Sequence, residues 1–382
     1  MSHKKILFVY YQNIKQNGVS KSIANITKEL VEKDYEVTLL FLMAEHADYF
    51  PIDSRVKKIY INSFDTRYFR FAGKLKEKSI LKGKWNSATY YLYDLGCFFT
   101  LKNWINENYK NYDKIIACWY KLSIFLSFTR AASRTIAWEH TIHKTGGFLY
   151  FGLLRKRYKK LKKVVCLTGE SLAFYQSKQV KACRISNIIG DQYENVPFDF
   201  EKKEDIILLV SRLDPEKNVK EFLEIVHEAG IPHNWTVIIA GTGSEEDQLK
   251  TYAKEAGLSG VKFFGAGTQE QMLDLYKKSK IFCMTPLLEG LPTTLIEAMF
   301  CGNVLISYDC PTGPSEIVNP KNGFLIPLHD KKIFIEKLTG LLSDKEYLKK
   351  MAMDSYKESS KWKKDTILPK WEALLENEDE GL

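Results

Sequence analysis

Short apolar runs recur along the chain, each followed by a turn and then by a stretch with helical spacing. Lys4 to Tyr11 reads as a buried strand, and the turn from Gln16 to Ser22 holds Gly18. Ile23 to Glu32 has one apolar face and predicts a helix, and Tyr35 to Leu42 predicts the next strand. Strand, glycine turn, helix and strand make one βαβ unit. Further strands are predicted at 114–118, 135–138, 164–168 and 184–189. The stretch 191–205 is polar, contains Pro197 and lacks periodicity, so it predicts a linker. Beyond it, strands are predicted from Ile206, Trp235, Val261, Lys280 and Val304, with the alternation continuing to residue 330. The fold class is therefore α/β, with domains at 1–195 and 196–361. A final helix over 362–382 is marked by Ile367, Trp371, Leu374 and Leu375 at helical spacing. Residues 61–104 read as irregular, basic and aromatic, with Lys74, Lys76, Lys78, Lys82, Lys84, Trp85 and Tyr91 among them.

Length and composition agree with two domains. The chain has 382 residues, 45% hydrophobic and 27% charged, as in a soluble globular protein. Its 7 cysteines include no Cys-x-x-Cys pair, which argues for reduced thiols in a cytosolic protein, against a disulfide framework or zinc site. The opening apolar run is too short for a signal peptide, and no run reaches the roughly 18 residues of a membrane span. The net charge of +9 is uneven: residues 1–200 carry 33 Lys+Arg and 17 Asp+Glu (+16), and the remainder 23 and 30 (−7). A basic half suits an anionic partner. The run from Leu154 to Lys163 concentrates Arg155, Lys156, Arg157, Lys159, Lys160, Lys162 and Lys163. Without a nucleic-acid motif, peripheral contact with an anionic membrane at the cytoplasmic face fits it better than nucleic acid, and a solvated basic face is the other reading.

The candidate chemistry centres on Thr285 to Gly302. A strand ends at Thr285, Glu289 and Gly290 follow, and Pro292 fits the first position of a helix. Thr293 and Thr294 then offer free backbone N–H groups where the helix dipole favours phosphate. Glu297 lies inside the helix, and Gly302 suits its C-terminal cap. The same pattern also fits an ordinary strand–turn–helix with two surface glutamates. Arg212 and Lys217 follow the strand from Ile206, where two cations suit a diphosphate or simply a charged surface. His140 ends another strand, as a crevice residue or a structural one, with His143 as its rival.

The segment from Glu289 to Ala298 resembles the E-x7-E motif of retaining glycosyltransferases of the GT-B fold, family 4. The stretch Ser211-Arg212-Leu213 to Lys217-Asn218 is similar to that family's Gly-Arg-Leu-x-x-x-Lys-Gly pattern, with Ser211 and Asn218 in the glycine places. The loop 309–316 looks like one in bacterial cell-surface polysaccharide transferases. The resemblance implies two Rossmann-like domains facing across a cleft, with the last helix crossing back to the first. It implies that Glu289 holds the donor sugar, Glu297 the ribose, and the segment of Gly290, Leu291, Pro292, Thr293 and Thr294 the diphosphate and sugar between them, through its backbone N–H groups. It further implies Arg212 and Lys217 on the diphosphate, Gly265 and Ala266 at the base, Gly18 near the donor phosphate and His140 near the donor sugar. Glu289, Arg212, Lys217 and His140 are then the catalytic candidates. No Asp-x-Asp occurs, so no metal or other cofactor is expected beside a nucleotide sugar, by family a UDP-sugar. The implied reaction moves a hexose or N-acetylhexosamine to a saccharide or lipid-linked glycan in cell-surface polysaccharide synthesis. A sugar-nucleotide epimerase or hydrolase, or a non-catalytic basic module, is the alternative.

Overall fold

The computed structural model describes residues 4–14, 17–63 and 84–376, with side chains omitted at 84–90. The chain divides into two units, Met1–Asn187 with Lys370–Leu382, and Ile188–Pro369. The division falls at 187/188, ahead of the expected 195/196. The polar linker stretch belongs to the second unit, where Tyr193, Val196 and Phe200 are buried.

In the first unit seven parallel strands form one sheet: β1 Lys5–Tyr10, β2 Glu36–Phe41, β3 Lys57–Tyr60, β4 Lys114–Ala117, β5 Thr135–Glu139, β6 Lys163–Cys166 and β7 Ala182–Arg184. Their order is β3-β2-β1-β4-β5-β6-β7. β1 and β2 bury five residues in succession, the mark of strands covered on both faces. β7 is earlier and shorter than the strand expected at 184–189: Ala182–Arg184 pair with β6, and unit two begins at Ile188. Of the stretch expected to be irregular, 64–83 lies outside the described residues. Residues 61–63 are irregular as expected, but 84–104 lie in the helix Lys84–Asn108, an error of period: aromatic residues occupy both of its faces and blur the apolar stripe.

The second unit holds six parallel strands: β8 Ile206–Val210, β9 Thr236–Ala240, β10 Val261–Gly265, β11 Ile281–Met284, β12 Val304–Asp309 and β13 Gly323–Pro327. Their order is β10-β9-β8-β11-β12-β13. Its core joins Ile207, Leu209, Phe222, Ile239, Ile306 and Phe334, all at most 1% exposed. Each sheet therefore reverses its winding once, between β1 and β4 and between β8 and β11. At such a switch point the helices diverge and leave a crevice beyond the strands' carboxyl ends.

The helix Lys364–Glu376 starts in the second unit and, from Lys370, counts with the first. Trp371 and Leu375 are wholly buried, and the Trp371 ring meets Trp138 edge-on at 5.0 Å. Lys4 Nζ donates to the Glu376 carbonyl at 2.7 Å. All 7 cysteines are free and buried.

Candidate active site

The loops after β8 and β11 flank the second sheet's switch point. Val210 leads into Ser211, Arg212 and a short turn, Pro215–Lys217. Asn218 then adopts the left-handed conformation (φ 52°). That explains a glycine in the pattern this segment resembles, and asparagine is the next best occupant. The Asn218 carbonyl accepts from Thr285 Oγ1 at 3.0 Å, and Leu287 N donates to the Glu216 carbonyl at 2.9 Å. These two bonds tie the loops together across the switch point. Between them the Lys217 ammonium pairs directly with the Glu289 carboxylate, the two side chains 14% and 16% exposed.

A third loop, after β12, fixes Glu289 from the other side. The Thr312 hydroxyl donates to the Glu289 carbonyl. Thr312 has φ +79°, a costly conformation for a β-branched residue, so backbone strain is stored beside this carboxylate. Gly313 allows the approach: a Cβ there would lie 1.8 Å from the Gly290 carbonyl oxygen.

The helix Thr293–Phe300 begins one residue later than expected, with Pro292 as its N-cap. Its first-turn amides, Thr293 and Thr294, have no partner within the helix and point out of its positive end. Gly302 (φ +67°) ends it as expected. Its N–H donates to Met299 at 2.9 Å and that of Asn303 to Ala298 at 3.0 Å, the two bonds of a Schellman cap. Glu297 is not a surface glutamate: it is 4% exposed. Its carboxylate lies beside the hydroxyls of Tyr193 and Tyr276, whose ionisation is suppressed by burial first and by that charge second.

Arg212 is 57% exposed and engaged, pairing with Asp214 and Glu216. Gly265 closes β10 with φ +75°, and Ala266 beyond it is exposed. The switch point thus brings together Lys217, Glu289 and the segment Gly290, Leu291, Pro292. Gly18 and His140 belong to the first unit. The first helix, Gly18–Glu32, starts earlier than expected because Asn17 caps it, accepting from Ser20 N at 2.8 Å. His140 follows β5, its ring 4.2 Å from that of Trp138 and its Nε2 buried without a partner. Burial pushes its pKa down to about 3, so the ring is neutral. The rival His143 contacts Ser171 Oγ at 3.3 Å and stacks on Phe174.

The basic run divides. Arg155 is 4% exposed and leaves the set expected to meet a membrane. It donates to Glu139 Oε2 (3.2 Å), the Tyr175 hydroxyl (3.1 Å) and the carbonyls of His143 (2.6 Å) and Thr145 (3.1 Å). Glu139 also accepts from Tyr158 at 2.5 Å. A buried cation needs such partners, and Glu139, at the end of β5, supplies the charge. Arg157 covers the Phe128 ring at 3.5 Å and donates to the Ser127 carbonyl. Lys156, Lys159 and Lys160 are exposed beside Leu153, and Lys162 and Lys163 partly so. Sequence reasoning missed Thr312, whose type and neighbours carry no signal of its backbone angle. Among the described residues no three His, Cys, Asp or Glu form a metal-binding group, and no helix is long and apolar enough to cross a membrane.

Residues 193–358 match the family model described as glycosyl transferases group 1. The amylovoran biosynthesis glycosyltransferase AmsD of Erwinia amylovora is 29% identical over 261 residues, 64% of this chain and 71% of that protein. The GalNAc-alpha-(1->4)-GalNAc-alpha-(1->3)-diNAcBac-PP-undecaprenol alpha-1,4-N-acetyl-D-galactosaminyltransferase of Campylobacter jejuni is 23% identical, covering 97% of this chain and 98% of its own. Among solved structures, a point mutant of S. aureus TarM in complex with fondaparinux, alpha-GlcNAc-glycerol and UDP superposes with a TM-score of 0.76 at 15% identity, covering 98% of this chain and 100% of that one. That likeness establishes the overall fold as GT-B.

Proposed function

From a chain that is a glycosyltransferase of GT-B fold, we propose a metal-independent, retaining transfer of a hexose or N-acetylhexosamine from a UDP-sugar to a saccharide or lipid-linked glycan. The observation that carries this is the Lys217–Glu289 pair at the carboxyl ends of β8 and β11, beside the free amides of Thr293 and Thr294. Breaking the anomeric bond builds negative charge on the diphosphate and positive charge on the sugar. Lys217 and the two amides strengthen their hold on the phosphate as that charge grows, which lowers the barrier. Arg212 joins them once it leaves Asp214 and Glu216. Glu289 orients the sugar, and Glu297, buried beside Tyr193 and Tyr276, holds the ribose. Gly265 and Ala266 border the base. The departing phosphate takes the acceptor's proton on the same face, so no separate base is required. His140, neutral, serves the donor sugar as a hydrogen-bonding group.

The UDP seen with TarM and the lipid-linked substrate named for the Campylobacter relative support the donor and acceptor classes. Family 4 is the assignment supported by the two motifs, and cell-surface polysaccharide synthesis the setting supported by the named relatives. A lipid-linked acceptor also supports work at the cytoplasmic face of the membrane, with Lys156, Lys159 and Lys160 toward anionic lipid and Phe148 and Leu153 exposed close by.

The test offers UDP-, GDP- and ADP-sugars with and without bacterial glycolipid and follows nucleotide release. Release of UDP that needs glycolipid, and that persists in EDTA, is expected. Release without acceptor would instead identify a hydrolase, and loss in EDTA would end the metal-free reading. Co-sedimentation with vesicles should require anionic lipid and fall at high salt; equal binding to neutral vesicles would end the docking reading.

A further inference from the structure

The first sheet has a switch point of its own, between β1 and β4, and the side chains gathered there are not those of a phosphate site. Tyr11 directly follows β1, and Lys121 lies in the first turn of the helix Tyr120–Leu126 that follows β4. Asp94, on the helix Lys84–Asn108, accepts from Lys121 Nζ at 2.8 and 3.1 Å and from the Tyr150 hydroxyl at 2.5 Å. Tyr91, one turn before Asp94, stacks on Tyr150 with centroids 6.3 Å apart and remains 44% exposed. Burial, and then the fields of Cys97, Asp94, Tyr150 and Tyr120, push the Tyr11 phenol well above its usual range, so it stays a neutral hydroxyl.

We propose that this cluster is a subsite for one neutral sugar ring of the acceptor, with Asp94 receiving a sugar hydroxyl and Tyr91 stacking on the ring's apolar face. The inference rests on the glycosyltransferase reading and adds where the acceptor is held. An ionised carboxylate has about four acceptor positions. Among the described residues, Lys121 and Tyr150 occupy three of those of Asp94, and one stays open. The ammonium, with two of its three protons on Asp94, likewise has one to spare. Because Asp94 and Lys121 cancel in charge, the cluster favours a polyhydroxylated neutral ring over a phosphate, which the carboxylate would repel. An exposed aromatic face beside paired polar groups matches the two sides of a pyranose: C–H groups on one, hydroxyls at its rim.

The surroundings hold this cluster in place. Tyr150 sits in the segment that Arg155 anchors, through the carbonyls of His143 and Thr145, to Glu139 at the end of β5. Gly146 (φ +113°) lets Tyr150 close in, since a Cβ there would lie 2.7 Å from the Tyr150 Cβ. The buried ion pair thus acts as a support for Tyr150, and through it for the orientation of Asp94.

The full chain, saturated with UDP, would be probed by saturation-transfer NMR with the methyl α-glycosides of glucose, galactose, N-acetylglucosamine and N-acetylgalactosamine. At least one glycoside should receive saturation. Asp94→Asn and Tyr91→Ala should each weaken it about tenfold, the scale of one lost charge-assisted hydrogen bond or one lost stacking face, with UDP affinity unchanged. Tyr91 is exposed, so its variant folds even if the Asp94 variant does not. Unchanged glycoside binding in Tyr91→Ala, or no glycoside binding while UDP binds, would overturn the subsite. Glycoside binding that responds to these variants, in a chain with no affinity for UDP, would sink the donor reading and leave the subsite standing.

Discussion

Replacing Glu289 with glutamine should move two measurable quantities in opposite directions. In the free protein its carboxylate shares the Lys217 ammonium, and both side chains are mostly buried. Two unit charges about 4 Å apart at an effective dielectric near 20 interact by about 4 kcal/mol. Desolvation of both groups offsets much of that, leaving about 1–2 kcal/mol net. An incoming diphosphate competes with Glu289 for the ammonium and feels its negative charge. Glutamine keeps the shape and removes both penalties, so UDP should bind about 5–30-fold tighter. Turnover should fall about a hundredfold, because the group that orients the sugar in the transition state has lost its charge. Lys217→Ala should do the reverse to UDP, weakening it at least tenfold while leaving an unpaired carboxylate behind.

Because the two residues touch, their effects will not add. The double variant Lys217→Ala/Glu289→Gln should bind UDP more tightly than Lys217→Ala alone, since the stranded carboxylate is gone. Titration calorimetry with UDP reads the affinities, and steady-state UDP release reads turnover. UDP affinity that is unchanged or weaker in Glu289→Gln, in a chain whose melting temperature is intact, would show that the carboxylate does not face the diphosphate. The mechanism would then lose its central pair.

Arg155→Met should destabilise the first unit by about 3–5 kcal/mol, because it strands Glu139 and two carbonyls in the interior. Calorimetric unfolding should show this with UDP affinity preserved, and a loss under about 1 kcal/mol would contradict the support role. Glu194 gives a pH signature: burial raises its pKa to about 7, against the opposing bond from Lys364 N. Between about pH 4.5 and 7 the folded chain keeps a proton that the unfolded chain releases, so this contribution is present at low pH and fades as pH rises through about 7. Glu194→Gln should flatten that slope in melting temperature between about pH 5 and 8; an unaltered slope would assign it to other groups.

Most of the fold was legible because buried parallel strands are short apolar runs closed by turns, and β1, β2, β4, β5 and β8 read directly as such. The helix Lys84–Asn108 was not, since its aromatics face both inward and outward and leave no single stripe. The segment proposed to hold the donor was legible for a related reason: Gly302 and Asn218 sit at left-handed backbone positions, and such positions restrict residue type. Asn218 shows that what matters is the conformation: asparagine meets it where the resembling pattern has glycine. Thr312 breaks that logic, holding a positive φ with a residue type that gives no warning.

The basic run shows where local reading fails in principle. Arg155 and Lys156 are adjacent and alike in charge, yet one is buried and the other is exposed. What separates them is Glu139, 16 positions away, with the hydroxyls of Tyr158 and Tyr175. A buried charge is affordable only where distant parts of the chain converge on it, and convergence is a property of topology. The same dependence applies to Asp94, whose partners Lys121 and Tyr150 stand 27 and 56 positions off. Sequence motifs therefore pointed to the proposed donor side, where Lys217, Glu289 and the helix amides lie on adjoining loops of recognisable form. The proposed acceptor side is assembled from residues scattered over three elements, so only the folded chain could reveal it, and variants at Asp94 and Tyr91 test it without touching the donor motifs.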